Sequence, residues 1–140
     1  MKKNYFLLGL LVGIILLAFA ACSSTDVLTN TSWKLHGFYS HETDSLEIAQ
    51  PEDSEYFYVI NFQEDEKFSG RTATNEFEGR YTISDDQIYI HDCFTTKVGE
   101  MYDGERFYSS LHEATRYSIS NRQLRLYYNN NQDYLLFNIQ

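Results

Sequence analysis

Cysteine, proline and catalytic motifs are scarce in this sequence. Its 140 residues include two cysteines and one proline, Pro51. Two cysteines allow at most one disulfide, which excludes a small disulfide-stapled scaffold, and a single proline excludes a proline-rich stalk. The sequence also has no glycine-rich phosphate loop, no Gly-x-Ser-x-Gly elbow and no paired-carboxylate signature. We therefore expect a protein that is not an enzyme, needs no cofactor and depends on a packed core for its stability.

Basic residues are few as well. The chain has 11 Lys and Arg against 20 Asp and Glu, which gives a net charge of −9. Nucleic acids and anionic lipid headgroups attract Lys and Arg, so we expect no nucleic-acid partner. The acid-rich stretch 42–55 is interpreted as solvated surface, or alternatively as a collar that attracts a cationic partner. The alternative keeps open the hypothesis of an acidic inhibitor that neutralises a basic hydrolase.

The longest apolar run lies at the N-terminus. Residues 5–21 are apolar, follow Lys2 and Lys3, and end in small residues directly before Cys22. That order is typical of a secretory signal, and the closing cysteine resembles a bacterial lipobox, in which the thiol is lipidated and becomes the first mature residue. A membrane-spanning helix needs about 20 apolar residues and has no need of that cysteine. We predict a cleaved signal peptide of the lipoprotein type over 1–21.

Cleavage before Cys22 leaves 119 residues, the size of one ordinary domain. We predict a short tether at 22–29 and a single domain at 30–140. Without Lys2 and Lys3, 9 basic residues face 20 acidic ones, so the net charge becomes −11. The predicted location is the bacterial cell envelope, by a lipid anchor to the inner or the outer membrane.

Most of the mature chain has the residue pattern of short β-strands. The stretch 56–62, for example, is dense in aromatic and β-branched side chains. We expect the first strand to end at Gly37 and 41–54 to be a long surface loop. The only helical period lies in 103–114, where Asp103 is a plausible N-cap. About eight strands and one helix predict a mainly β fold, namely a small antiparallel β-barrel with one α-helix near residues 103–114.

Connections between the strands are predicted from turn residues. Gly70 and Gly79 are interpreted as flanking a polar connection. Tight turns are expected at 84–86, 120–122 and 129–131, where Asp and Asn tolerate the left-handed region of backbone conformation.

The run His91-Asp92-Cys93 contains three metal-ligating side chains, but it does not predict a metal site. Zinc needs about four ligands in a tetrahedral array, and the other histidines are scattered along the chain. A Cys-His nucleophilic pair is equally unsupported, because nothing marks an orienting partner or an oxyanion hole. We interpret Cys93 as a small buried hydrophobe.

Tyrosines are more numerous than one inward-facing layer could absorb. Exposed tyrosines are enriched where proteins bind other proteins, and aromatic rings also stack on sugars, so a protein or glycan partner is one interpretation. The other is that the rings line the rims of the sheet with their hydroxyls in water. The residues concerned are Tyr56, Tyr58, Tyr89, Tyr102, Tyr127, Tyr128 and Tyr134.

The order of these elements resembles the META domain of HslJ-like bacterial envelope proteins across residues 28–139. The residues that carry the resemblance are Trp33, Leu35, Phe62, Glu64, Asp65, Ser69, Gly70, Asn75, Phe77, Gly79, Arg80, Tyr81, Thr95, Thr96, Lys97, Glu105, Tyr108, Leu111, Tyr117, Ile119, Leu124, Leu126, Leu135 and Phe137. The resemblance implies a small antiparallel β-barrel, lipocalin-like in outline, with one helix. It implies no established enzyme activity, and members are linked loosely to heat shock, drug tolerance and motility.

The sequence departs from this family at two positions. Many relatives carry a pair of cysteines, at or near the positions occupied here by Thr74 and Glu100. Any activity that depends on that pair cannot be transferred to this chain. We also predict that the domain folds without a disulfide, on an aromatic core in which Trp33 is largely buried.

Together these observations predict a noncatalytic, membrane-anchored envelope lipoprotein whose META-like domain serves as an interaction or stress-tolerance module. One alternative is a barrel that binds a small apolar ligand or a glycan in its mouth. That alternative requires an internal cavity, which Trp33, Phe62, Ile90 and Phe137 would otherwise fill.

Overall fold

A computed structural model describes residues 27–140, so the predicted signal peptide and Cys22 lie outside the described residues. Within this range no helix has the length and apolar character needed to cross a membrane. Residues 27–140 form nine strands and one helix. Their bounds are β1 Thr31–Ser40, β2 Ser45–Ile48, β3 Val59–Phe62, β4 Lys67–Arg71, β5 Glu76–Ser84, β6 Gln87–Thr95, α1 Gly104–His112, β7 Arg116–Ser120, β8 Gln123–Tyr128 and β9 Asp133–Ile139.

The strands form one antiparallel sheet that closes into a ring. Neighbouring strands pair in the order β2-β1-β3-β4-β5-β6-β7-β8-β9, and β1 also pairs with β9. One edge of β1 is shared by β3, along its first half, and β2, along its second half. The predicted mainly β class, with a barrel-like outline and one helix, is confirmed.

The expectation that 41–54 is a loop was wrong, because β2 lies inside it. This strand has four residues, in which the half-buried Leu46 and Ile48 alternate with exposed neighbours. Two alternations are too few to distinguish a strand from a loop in the sequence. The strand forms because β1 supplies its hydrogen-bonding edge.

The first strand does not end at Gly37 but continues to Ser40. Gly37 lies at a shift of register between β1 and β9. A Cβ atom at this position would lie 2.4 Å from the carbonyl oxygen of Glu47 on β2. The glycine therefore permits close approach of two strands and does not terminate one of them.

Gly70 and Gly79 also lie inside strands, in β4 and β5, on either side of the polar connection that the sequence predicts between them. A Cβ atom on Gly70 would lie 2.3 Å from the ring of Phe77, and one on Gly79 would lie 2.7 Å from the ring of Phe68. Each glycine faces an aromatic residue on the paired strand and leaves space for its ring. The actual connection between β4 and β5 is the short turn 72–75.

The predicted helix is confirmed, and it connects the two neighbouring strands that share the fewest paired residues. Strands β6 and β7 share one pair, Gln87 opposite Arg116. The helix lies between them in sequence and buries Phe107 and Leu111 against the interior. Asp103 precedes the helix but makes no capping bond with its side chain.

Aromatic side chains fill the interior of the ring. Trp33 is 2% exposed, which confirms its predicted burial, and Phe62 and Phe137 are equally enclosed. The ring of Phe107 contacts the ring of Phe137 at 6.2 Å between centroids, so the helix plugs the same space. Ile90 is half-buried at the edge of this cluster. Since the interior is occupied, the hypothesis of a ligand inside the barrel loses its structural basis.

Candidate functional site

The open space of this domain lies on the outside of the ring, over strands β3 to β6. Two grooves of about 550 and about 540 Å³ share Ser69, Glu78 and Phe94 as lining residues. The first groove includes Arg71, at the end of β4, and we call it the far half. The second groove includes Lys67, at the start of β4, and we call it the near half. We call the two halves together the outer groove.

Phe94 stands at the centre of the outer groove and is 68% exposed. Its outward direction results from an irregularity in β6. Arg80 on β5 pairs with His91, but Glu78 pairs with Phe94, so two residues of β6 lie opposite one of β5. The extra residue is accommodated at Asp92, whose φ is 48°. Side chains alternate along a strand, so this bulge moves Phe94 from the inner to the outer face.

Charged side chains surround Phe94 in opposed positions. Arg71 lies opposite Glu76 across β4 and β5, whereas Lys67 lies opposite Arg80. Glu78 pairs across β5 and β6 with Phe94 itself. The groove therefore mixes both signs of charge, and its near half brings two cations face to face.

These charges are not neutralised by salt bridges. Among residues 27–140, ion pairs within 4.0 Å join Arg106 to Glu47 and Arg116 to Asp86, and none of these four residues lines the outer groove. The cations and carboxylates of the outer groove thus remain available to an external molecule.

A second group of aromatic residues on the outside is, by contrast, satisfied within the protein. Tyr39 stacks on Tyr134 at 4.5 Å between centroids, and Tyr127 meets Tyr134 edge to face. Arg125 lies 5.6 Å from the Tyr134 ring and Arg116 lies 5.3 Å from the Tyr127 ring. We call Tyr39, Tyr127 and Tyr134 the ladder. Because each of these rings already has partners, the ladder stabilises the sheet and is a weaker candidate for binding.

The tyrosines singled out from the sequence divide into three classes. Tyr58 is fully buried in the core. Tyr56, Tyr89 and Tyr102 are exposed. The remaining three lie half-buried on β8 and β9, and two of them, Tyr127 and Tyr134, belong to the ladder.

The loops at the far end of the outer groove are held by a polar cluster. Asn75 donates to the carbonyl of Val98 at 2.7 Å and to Glu100 Oε1 at 2.6 Å, and its own Oδ1 accepts from the Val98 amide at 2.9 Å. Thr72 also donates to Glu100 Oε1, at 2.6 Å. We call Thr72, Asn75 and Glu100 the polar clamp. It joins the turn between β4 and β5 to the loop that precedes α1.

A second set of bonds fixes the loop between β2 and β3. The Tyr58 hydroxyl donates to the Gln50 carbonyl at 2.6 Å and accepts from the Asp103 amide at 3.1 Å. The Asp103 carboxylate accepts from the Gln50 amide at 2.7 Å, which explains why it does not cap the helix. Burial raises the pKa of Tyr58 to about 12, so the hydroxyl is a stable donor at neutral pH.

The three residues 91–93, which were considered as metal ligands, lie in different environments. His91 Nε2 shares a hydrogen bond with Thr82 Oγ1 at 2.7 Å. Cys93 is half-buried beside Tyr108, and burial raises the pKa of its thiol. In the described part of the chain no three His, Cys, Asp or Glu side chains are grouped to hold a metal ion.

A closed antiparallel ring, filled by aromatic side chains and plugged by one helix, defines a small β-module with its accessible groove on the outside. The model of the META domain matches residues 26–140. The chain therefore belongs to the META domain family, as the resemblance in the sequence predicted. No curated protein matches the chain.

Solved structures share this fold at low sequence identity. An NMR structure of a protein from Burkholderia xenovorans has a TM-score of 0.69 and 20% identity, covering 88% of this chain and 93% of that one. A DUF4847 family protein from Bacteroides vulgatus has a TM-score of 0.62 and 18% identity, covering 81% of this chain and 94% of that one. A further NMR structure has a TM-score of 0.61 and 15% identity, covering 83% and 94%. These likenesses show the fold.

Proposed function

We propose that this protein is a noncatalytic, lipid-anchored META-domain module of the bacterial envelope that binds a partner in the outer groove. The observation that carries the proposal is the exposed Phe94 among charged side chains that have no ion-pair partner within the domain. An exposed apolar ring costs free energy in water, which contact with a bound molecule would remove. The charged side chains are hydrated, and a ligand of opposite charge would add ion pairs that the domain itself does not supply.

The described domain begins beside one end of the outer groove. Asn30 Nδ2 donates to Glu64 Oε1 at 3.4 Å, so the first described residues lie beside the turn between β3 and β4. Lys67 follows that turn, whereas Arg71 lies at the other end of the strand. The near half of the outer groove is therefore the half closer to the point at which an anchored chain would enter the domain.

The anchor is tested by mass spectrometry of the membrane fraction from a bacterial host. We expect a diacylated or triacylated Cys22 at the mature N-terminus, and in the Cys22→Ser variant we expect loss of the lipid together with retention of the apolar segment 5–21. An unmodified Cys22, or a mature N-terminus elsewhere, would contradict the anchor.

The groove is tested separately by photo-cross-linking in intact cells. A photoreactive phenylalanine analogue replaces Phe94 in one version and Tyr89 in a matched control, since Tyr89 is an exposed aromatic residue on the same strand but outside the groove. We expect a cross-linked product at position 94 that is absent at position 89 and is lost when Lys67 and Arg80 are both changed to Gln. Equal cross-linking at the two positions would refute a binding role for the groove.

A further inference from the structure

The near half of the outer groove places two cations directly opposite each other, and the two carboxylates that line it form no salt bridge with them. Lys67 and Arg80 are both exposed and lie directly opposite each other on adjacent strands. Like charges in this position destabilise a sheet. Glu78 and Asp92 line the same half, but neither forms a salt bridge with the two cations in the described part of the chain. An external carboxylate placed between Lys67 and Arg80 would relieve the repulsion.

The centre of the outer groove offers a flat ring next to hydrogen-bonding groups. Phe94 provides the apolar surface, Glu78 provides an acceptor directly opposite it, and Ser69 lies opposite Glu78. Gln63 Nε2 donates to Ser69 Oγ at 2.8 Å and so leaves the Ser69 hydroxyl proton free to point into the groove. A pyranose ring has the matching surfaces, since its C–H face is apolar and its edge carries hydroxyls.

The backbone beneath the outer groove argues against an extended peptide. Strands β3, β4, β5 and β6 are paired with one another across the groove floor. Their main-chain groups are therefore used within the sheet, and strand addition needs a free edge. Recognition at this surface must come from side chains.

We infer that the outer groove binds a glycan whose sugar rings carry isolated carboxylates, with a ring stacked on Phe94 and a carboxylate held by Lys67 and Arg80. This inference rests on the proposed function, because it names the ligand class of the same groove. The mature chain has a net charge of −11, so a densely charged polyanion would be repelled by the remaining surface. Sparse carboxylates on neutral rings fit the two opposed cations without that penalty.

The test is a ligand-observed NMR titration of the full-length protein in a polyoxyethylene detergent, which has no sugar headgroup. The probes are the disaccharide of N-acetylglucosamine and N-acetylmuramic acid, digalacturonic acid, and neutral N,N′-diacetylchitobiose, called chitobiose below. The first two distinguish carboxylated amino sugars from uronic acids, and chitobiose lacks a carboxylate. We expect at least one acidic disaccharide to bind about tenfold or more tightly than chitobiose, since a charge-assisted hydrogen bond supplies a difference of that size.

Two groove variants separate the contributions of the ring and the cations. Phe94→Ala should weaken binding of the acidic disaccharide about tenfold. K67Q/R80Q should reduce the ratio of the two affinities, acidic disaccharide over chitobiose, to about one. All three residues are exposed, so these changes leave the core intact. The matched controls are Tyr89→Ala on the same strand and Arg122→Gln in the turn between β7 and β8, and both should bind as the unaltered protein does.

The outcomes either support the inference or overturn it. Absence of binding by both acidic disaccharides overturns the ligand class, while cross-linking at position 94 reports independently on the proposed function. Equal affinity for chitobiose and the acidic disaccharides overturns the role of Lys67 and Arg80. Loss of binding in the Tyr89→Ala or Arg122→Gln control would place the binding site outside the outer groove and would also overturn the inference.

Discussion

Removal of the Asn75 side chain should strongly destabilise the domain. Asn75 is 3% exposed, and its side chain makes four hydrogen bonds: to the Val98 carbonyl, to Glu100, and from the Thr96 hydroxyl and the Val98 amide. Asn75→Ala leaves all four groups without that partner. Each buried polar group left unsatisfied costs about 1–3 kcal/mol, but Val98 lies in a loop open to water, which recovers part of the loss. We expect a decrease of about 2–4 kcal/mol in the free energy of unfolding.

This decrease is measured by urea unfolding, with the fluorescence of Trp33 as the probe. A slope of about 1–3 kcal/mol per molar urea converts it to a midpoint shift of about 1–2 M. Asn138→Ala is the matched control, because Asn138 is an exposed asparagine that accepts one hydrogen bond, from Gln123 at 3.1 Å. Its effect should stay within about 0.5 kcal/mol.

A second substitution at the same position tests the electrostatic part of the argument. Asn75→Asp keeps the acceptor for the Val98 amide but places a carboxylate against Glu100 and the Val98 carbonyl. We expect it to be more destabilising than Asn75→Ala at pH 7 and to recover as the pH is lowered, because protonation removes the repulsion. The reasoning is refuted if Asn75→Ala shifts the midpoint no further than Asn138→Ala does.

Three further results are expected. Trp33→Ala, followed by circular dichroism, should lower the free energy of unfolding by about 3–5 kcal/mol because the side chain is buried in the core; an unchanged midpoint would show that the core is placed wrongly. The pKa of Tyr58 is raised to about 12, so the unfolded state loses this proton first and stability should fall as the pH rises from about 10 towards 12. In thermal melts Tyr58→Phe should be less stable at pH 8 but should lose less stability over that range, and parallel pH curves would contradict this. The urea midpoint of the monomer should not depend on reductant, since Cys93 is the one cysteine of the described chain, and a reductant-dependent midpoint would contradict a disulfide-free fold.

The fold was largely predictable from local patterns in the sequence. The helix was recognised because Phe107 and Leu111 recur at helical spacing, and both are buried as that spacing requires. The turns at 121–122 and 129–131 were recognised from Asn, and all five residues have positive φ. These features depend on interactions between residues close in sequence, which a single chain reveals.

The outer groove was not predictable, because its centre depends on a pairing between strands. In the sequence Phe94 continues the alternation of Ile88 and Ile90, so it reads as an inward-facing residue. The bulge opposite Gly79 reverses its direction, and a bulge is defined by the register of two strands. The positive φ at Asp92 is compatible with an aspartate, but many aspartates occupy ordinary strands and turns. In an alignment of relatives, a one-residue insertion near Asp92 would be the signal that reveals the bulge.

The polar clamp joins the two segments in which the family resemblance implies a cysteine pair in other members. Those cysteines would lie near Thr74 and Glu100, and the same two segments meet here through hydrogen bonds. Thr74 Oγ1 accepts from the Met101 amide at 3.1 Å, and Glu100 Oε1 accepts from Thr72 and Asn75. A disulfide contributes about 2–4 kcal/mol, and a net hydrogen bond contributes about 0.5–1.5 kcal/mol, so several such bonds replace the covalent link. Because none of them involves sulfur, the loops beside the outer groove keep their positions whatever the redox state of the surroundings.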